Sequence, residues 1–402
     1  MKKSLENKYG KIYEETLRDG IQSSELSMLN TEDKKKVIKN FDNAGIEGCC
    51  IGFINSSKKE NDEINELFQF IITNKLKIVP AVLCRLLIED FKEIKNIVQC
   101  NLFNQLKVYT YIAVSPIRMK VENWSEEIII EKIIDFLNYC QMENAKITIA
   151  FEDASRADKS FLKKLIEIIN NYPLVKSVVI ADTVGTCNYN STRDLVYFFR
   201  KNLFLSKTIE WHGHNDLGLA VSNALSAIES GADIVHTCTL GIGERCGNTS
   251  TEQLIINLIV SECGRRATYK LRYLYDVAKI LENKSQFPIS PKTPCFGMDS
   301  FFTCAGTHAS SLYKSYLKND NNFSIIFSPY DSNIFGREVT VGINSQSGRS
   351  SIEYISRKYG LELSQENITS ILGLVKQNDL FFREEEFVDY VKQKRVERLD
   401  YK

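Results

Sequence analysis

The sequence predicts an α/β fold, a TIM (β/α)8 barrel, and three observations carry that reading. Eight short apolar runs recur along the first two thirds of the chain, an amphipathic segment follows each, and the chemistry-bearing polar residues cluster just after the runs. Parallel strands buried on both faces read as apolar runs, whereas covering helices show an apolar stripe of period 3.6. In such barrels the catalytic groups sit at the carboxyl ends of the strands and in the loops that follow. A doubly wound open sheet is the structural alternative, but it rarely needs eight such units.

The first run, Lys11–Thr16, leads into Arg18-Asp19 and then a helical segment, Thr31–Ala44, with Thr31 as a cap candidate. Gly45–Phe53 carries Cys49-Cys50 in a buried-strand pattern and precedes the helix Asn61–Asn74. Lys77–Cys84 ends at Arg85, before Ile88–Asn101; Gln105–Val114 ends at Ser115, before Ser125–Glu143, which Ser125 caps. Lys146–Asp153 closes on Glu152-Asp153 and precedes Lys159–Asn171. Ser177–Thr183 closes on Asp182-Thr183, with Ser191 as cap candidate for Thr192–Asn202. Thr208–His214 ends in two histidines and precedes Leu219–Ser230. Ala232–Thr239 is followed by Glu244, Asn248 and the helix Thr251–Cys263. The reading divides the chain into a barrel domain, 1–265, and a region, 266–402, of ordered connector and small, mainly α-helical subdomain ending in the charged helix Glu384–Arg398.

Composition narrows the function classes. The 402 residues balance 51 basic against 51 acidic side chains, so neither nucleic acid nor an anionic membrane is an expected partner. No apolar run approaches the ~20 residues of a membrane span, and residues 1–8 lack the apolar core of a secretion signal. Eleven cysteines without paired spacing fit reduced thiols in the cytoplasm.

The most specific local pattern is His212-Gly213-His214-Asn215-Asp216, followed by the Gly-rich stretch Gly241–Thr249. In a strand, residues i and i+2 share a face, so both imidazoles converge on one point. Asp19 and Asn248 fall at the same barrel mouth and complete a mixed oxygen and nitrogen ligand set for Mg²⁺, Mn²⁺ or Zn²⁺ with open positions. Without thiolates, this is not the pattern of a structural zinc site. A lone Arg-Asp dipeptide is ordinarily a surface ion pair, but Arg18 beside Asp19 is placed to neutralise charge on a reacting oxygen. Glu152 is a candidate for proton transfer, Asp153 for a structural tie to Arg156, and Thr183 for binding a substrate carboxylate or for a local cap. His308 is either a general base or a connector histidine.

With these residues in place, the chain resembles the α-isopropylmalate synthase and homocitrate synthase family of the DRE-TIM metallolyases. Thr16-Leu17-Arg18-Asp19-Gly20-Ile21-Gln22 looks like that family's first motif, and His212 through Ala220 with Gly241 through Thr249 like its second. Ala305-Gly306-Thr307-His308 resembles the connector motif that supplies a histidine to the neighbouring subunit's barrel, and Ser347-Gly348-Arg349 the small subdomain that follows it. The resemblance implies a Claisen condensation of acetyl-CoA with a 2-oxo acid, followed by thioester hydrolysis. Asp19, His212, His214 and Asn248 would hold the metal, Arg18 would stabilise the oxyanion, and Glu152 and His308 would handle protons. Thr183 would hold the acceptor's carboxylate; Gln22, Arg85, Tyr109, Ser115, Arg118 and Ala150 are further substrate-binding candidates. A domain-swapped homodimer follows from the role of His308, and a leucine-binding regulatory domain is not expected.

Departures from the family pattern centre on the acceptor. Ile21 stands where an acidic residue is usual, Tyr109 and Arg118 where histidines are common, and Thr148 with small Ala150 where homocitrate synthases are basic. They predict conserved chemistry with an altered oxo acid; Arg118 is a candidate contact for a distal anionic group. The alternative is a lyase of the 3-hydroxy-3-methylglutaryl-CoA lyase or aldolase kind, which uses a similar barrel and His-x-His site but lacks the carboxy-terminal region. A barrel retained as a non-catalytic module would be expected to lose metal ligands, and all the candidates are present.

Overall fold

Eight strands close into a barrel, each paired in parallel with its neighbours, in a computed structural model that describes residues 10–22, 29–98, 102–261, 268–284 and 288–399. They are β1 (Lys11–Glu14), β2 (Gly48–Phe53), β3 (Val79–Arg85), β4 (Lys107–Ala113), β5 (Ile147–Glu152), β6 (Val175–Asp182), β7 (Thr208–Gly213) and β8 (Ile234–Thr237). Pairing of Lys11 with Ile234 and of Glu14 with Thr237 closes the ring between β1 and β8. Valine and isoleucine fill β5 and β6, whose residues are almost all buried, as expected for strands covered on both faces.

The surrounding helices are α1 (Thr31–Ala44), α2 (Lys58–Thr73), α3 (Ile88–Ile97), α4 (Pro116–Glu122), α5 (Glu126–Met142), α6 (Lys159–Asn170), α7 (Tyr189–Asn202), α8 (Ala220–Glu229), α9 (Thr251–Ser261) and α10 (Leu271–Lys284). Two caps differ from expectation. Asn30, not Thr31, caps α1, its extended backbone letting the side chain accept from the Asp33 amide. Asn188 caps α7, with Ser191 completing a capping box three residues in, so that helix starts earlier than the Ser191 reading implied. Ser125 caps α5 as expected. The expected tails of α3 over 99–101 and of α9 over 262–263 lie outside the described residues, as do the expected secretion-signal-free residues 1–8.

The expected domain boundary at 265 falls too early. Helix α10 packs against α1, burying Leu271, Leu274, Val277 and Leu281, and the first compact unit reaches Pro288. The second unit, Ile289–Lys402, holds two short parallel strands, β9 (Phe302–Thr303) and β10 (Thr340–Val341). Its helices α11 (Gly306–Leu317), α12 (Arg349–Lys358), α13 (Gln365–Gln377) and α14 (Glu384–Leu399) share a core that includes Leu312, Ile352, Ile355, Ile368 and Phe387. Among the described residues, the cysteines are free thiols, and no helix is long and apolar enough to cross a membrane.

Candidate active site

The carboxyl end of the barrel brings Asp19, His212 and His214 together, the group of potential metal ligands found among the described residues. His212 is the penultimate residue of β7, and His214 lies two residues on, in a bridge with Asn248. Their Nε2 atoms are 3.3 Å apart, and Asp19 Oδ2 lies 3.7 Å from one and 3.8 Å from the other. Two ligands held about 2.1 Å from one ion at tetrahedral or octahedral angles are roughly 3.0–3.4 Å apart, so the histidines already have ligand spacing and Asp19 needs a small inward shift. His214 Nδ1 faces the Gly247 carbonyl at 3.2 Å; a carbonyl only accepts, so that nitrogen carries the proton and Nε2 keeps its lone pair.

Asn248 supports the same reading. Its Nδ2 donates to Asp19 Oδ1 at 2.8 Å and to the Ile242 carbonyl at 3.1 Å, which fixes the amide orientation. Its Oδ1 is buried and has no hydrogen-bond partner among the described residues. An unpartnered buried acceptor on the residue that hydrogen-bonds Asp19 fits a further oxygen ligand for a divalent ion. Gly243 makes the arrangement possible: a Cβ there would stand 2.1 Å from Asn248 Nδ2 and 2.8 Å from Asp19 Oδ1.

Electrostatics follow the burial. Desolvation alone would raise the Asp19 carboxyl, but Arg18, His212 and His214 outweigh it and hold it well below the usual carboxylate range. Burial lowers both histidines, keeping the imidazoles neutral and able to bind a cation. Arg18 donates to Glu15 at 2.8 Å and to Asp19 at 2.9 Å, fixing its guanidinium at the site's edge.

A cavity of about 330 Å³ opens beside these groups, and its walls come from the barrel. It collects Arg18, Asp19, Gln22, His212 and His214, and on the facing side Tyr109, Arg118, Ala150, Glu152 and Thr183. Glu152 Oε1 lies 3.2 Å from Arg118 Nε; burial nevertheless raises its proton affinity, with Arg118 opposing and Asp153 adding to the shift. Thr183 Oγ1 accepts from the Asp153 amide at 2.8 Å, leaving the hydroxyl proton available to a ligand. Asp153 is tied to Arg156 at 2.8 Å, the structural role expected of it.

Three candidates are turned elsewhere. Arg85 clamps Asp90 through Nε and Nη2 at 2.8 and 2.7 Å and does not line the cavity, because the carboxylate five residues on captures its guanidinium. Ser115 is fully buried, hydrogen-bonded to Asp153, and accepts from the Arg118 amide as the cap of α4. His308 lies in the second unit, with Nδ1 3.3 Å from Thr303 Oγ1 and its ring stacked on Phe327 at 3.9 Å.

Sequence reasoning missed the polar floor of the cavity. His236 lies between two carboxylates, Nε2 3.0 Å from Glu210 and Nδ1 3.4 Å from Glu15. Glu210 also accepts from Lys107 at 2.7 Å and from the Tyr109 hydroxyl at 2.9 Å. The alternation of β7 was the available signal, since Glu210 is two residues before His212 and therefore shares its inward face.

Comparison with known proteins agrees with this geometry. The family model for HMGL-like proteins matches residues 10–281. The probable 2-isopropylmalate synthase of Archaeoglobus fulgidus is 28% identical over 91% of this chain and 69% of its own length. The (R)-citramalate synthase of Methanocaldococcus jannaschii is 28% identical over 91% and 70%, and the homocitrate synthase of Methanothermobacter thermautotrophicus 27% identical over 91% and 88%. Among solved structures, the HMG-CoA lyase of Bacillus subtilis superposes with a TM-score of 0.59 at 19% identity, over 70% of this chain and 95% of its own, a likeness of fold. With the barrel, the converging ligand set and a family match over most of the chain in agreement, the protein belongs to the HMGL-like family, among the DRE-TIM metallolyases.

Proposed function

We propose that this chain is an acyltransferase that condenses acetyl-CoA with a 2-oxo acid in a metal-dependent Claisen reaction, giving a 2-hydroxy-2-alkyl dicarboxylate and free CoA. The observation that carries the reading is the convergence of Asp19, His212 and His214 with the orphaned Asn248 Oδ1 at the mouth of a cavity that also holds Arg18 and Glu152. Relatives named as isopropylmalate, citramalate and homocitrate synthases support it.

In this reaction the acetyl methyl carbon loses a proton and bonds to the keto carbon, whose oxygen takes the electron pair and then a proton. Water next cleaves the thioester, leaving a carboxylate and the CoA thiol. Asp19, His212, His214 and Asn248 would hold a divalent ion, which when bound would supply Lewis-acid polarisation of the acceptor carbonyl. Arg18, fixed by Glu15 and Asp19, neutralises charge developing on the keto oxygen. Glu152, its proton affinity raised by burial, exchanges protons with the reacting groups together with His308. Thr183 donates its hydroxyl to the acceptor's carboxylate, and Gln22 and Tyr109 bound the space it occupies. His308 would act in the barrel of a second copy, in a domain-swapped homodimer.

The test is release of free thiol from acetyl-CoA with Mg²⁺ or Mn²⁺ across a panel of 2-oxo acids. Release that depends on one acid, and is lost with EDTA or in His212→Ala, supports the synthase; silence across the panel moves the weight to a carbon–carbon lyase. Mixing His212→Ala with His308→Ala subunits should restore part of the activity if His308 works across the dimer.

A further inference from the structure

We propose that the acceptor carries an uncharged, apolar side chain seated against Leu83, Tyr109, Tyr111, Ala150 and Val179. This rests on the reading of the cavity as a 2-oxo acid site.

Those five residues line the cavity and belong to one apolar cluster inside the barrel. Tyr109 turns its ring, not its hydroxyl, to the space, because the hydroxyl is spent on Glu210 at 2.9 Å. Ala150 is the smallest member of the wall and leaves room for a branched or aromatic group beside it.

A dicarboxylic acceptor needs a cation for its distal end, and none of the five wall residues supplies one. Arg18 lies 2.7 Å from Glu15 and 2.9 Å from Asp19, and Lys107 lies 2.7 Å from Glu210. Arg118, expected as a contact for a distal anion, lies 3.2 Å from both Glu152 and Glu122. Apolar walls reward a hydrocarbon side chain, and they offer a second carboxylate nothing in return for its lost hydration.

Calorimetric binding in Mn²⁺ decides it, with 2-oxoisovalerate, 4-methyl-2-oxopentanoate and phenylpyruvate set against oxaloacetate and 2-oxoglutarate, and thiol release followed in parallel. At least one apolar acid should bind tenfold or more tighter than either dicarboxylic acid. Ala150→Leu should lower the affinity for the best branched or aromatic acid, relative to pyruvate, at least fivefold. Equal or tighter binding of a dicarboxylic acid overturns the proposal, as does an unchanged affinity ratio in Ala150→Leu. Apolar preference without thiol release leaves it standing and removes the condensation reading; binding of no acid overturns both.

Discussion

Glu14 ends β1 fully buried, accepting hydrogen bonds from the hydroxyls of Thr16, Thr239 and Thr251. Burial disfavours its charge more than these donors favour it, and its pKa is pushed up to about 7 from an ordinary 4.5. A carboxyl that holds its proton more tightly when folded contributes stability that is complete below the unfolded pKa. That stability is lost as pH rises through the folded value. Worked through the two pKa values, this one group should cost the barrel roughly 2–3 kcal/mol between pH 5 and pH 8. Glu14→Gln cannot ionise and still offers an amide oxygen to the threonines. Urea unfolding at pH 5, 6, 7 and 8 should therefore show the variant losing roughly 2–3 kcal/mol less than the parent over that range. Glu252, also pushed to about 7 by burial, leaves the variant a residual slope of the same sign. Parallel pH profiles for the two proteins would refute the reasoning, since the carboxyl would then be titrating alike in both states.

Other substitutions probe the site directly. Gly243→Ala drives a methyl group into Asn248 and Asp19, and should weaken Mn²⁺ binding, read as lost thermal stabilisation by the ion, at least tenfold. Glu152→Gln should lower kcat by roughly 10²–10⁴ while leaving the ion's affinity within about twofold, because it removes a proton carrier and no ligand; equal losses in both would contradict that role. Arg85→Ala should leave acceptor KM unchanged and cost about 1 kcal/mol of stability, because Asp90 keeps the Asn55 amide and the residue-85 backbone as donors.

Much of the barrel was legible because its signals are local and repeated. Helix α1 begins and ends at the expected residues, and all eight strands lie within three residues of their expected starts. Cap choice was harder at Asn30-Thr31, where two adjacent residues both favour the position and only backbone torsion separates them. The boundary at 265 failed for a different reason: the apolar stripe of α10 shows a helix, but not that its partner is α1, more than two hundred residues earlier. Site residues divided along similar lines. Position at a strand end tells which end of the barrel a side chain occupies, and this placed Arg18, Asp19, Glu152, Thr183 and the histidines. It does not tell whether the side chain turns to the axis, which is why Arg85 and Ser115 look equivalent to them in sequence while a nearby carboxylate holds each one aside.

The candidate ligands straddle the joint where the barrel shuts. Asp19 follows β1, Asn248 follows β8, and the contact between them spans 229 residues of sequence. A chain that stops short of Asn248 cannot assemble this set, and during folding it can appear only when the first and last strands meet, a contact of long sequence separation whose loop closure is costly. An ion held there would act as a latch across the joint, binding the shut ring and not the open one, and would slow its reopening in proportion to its grip.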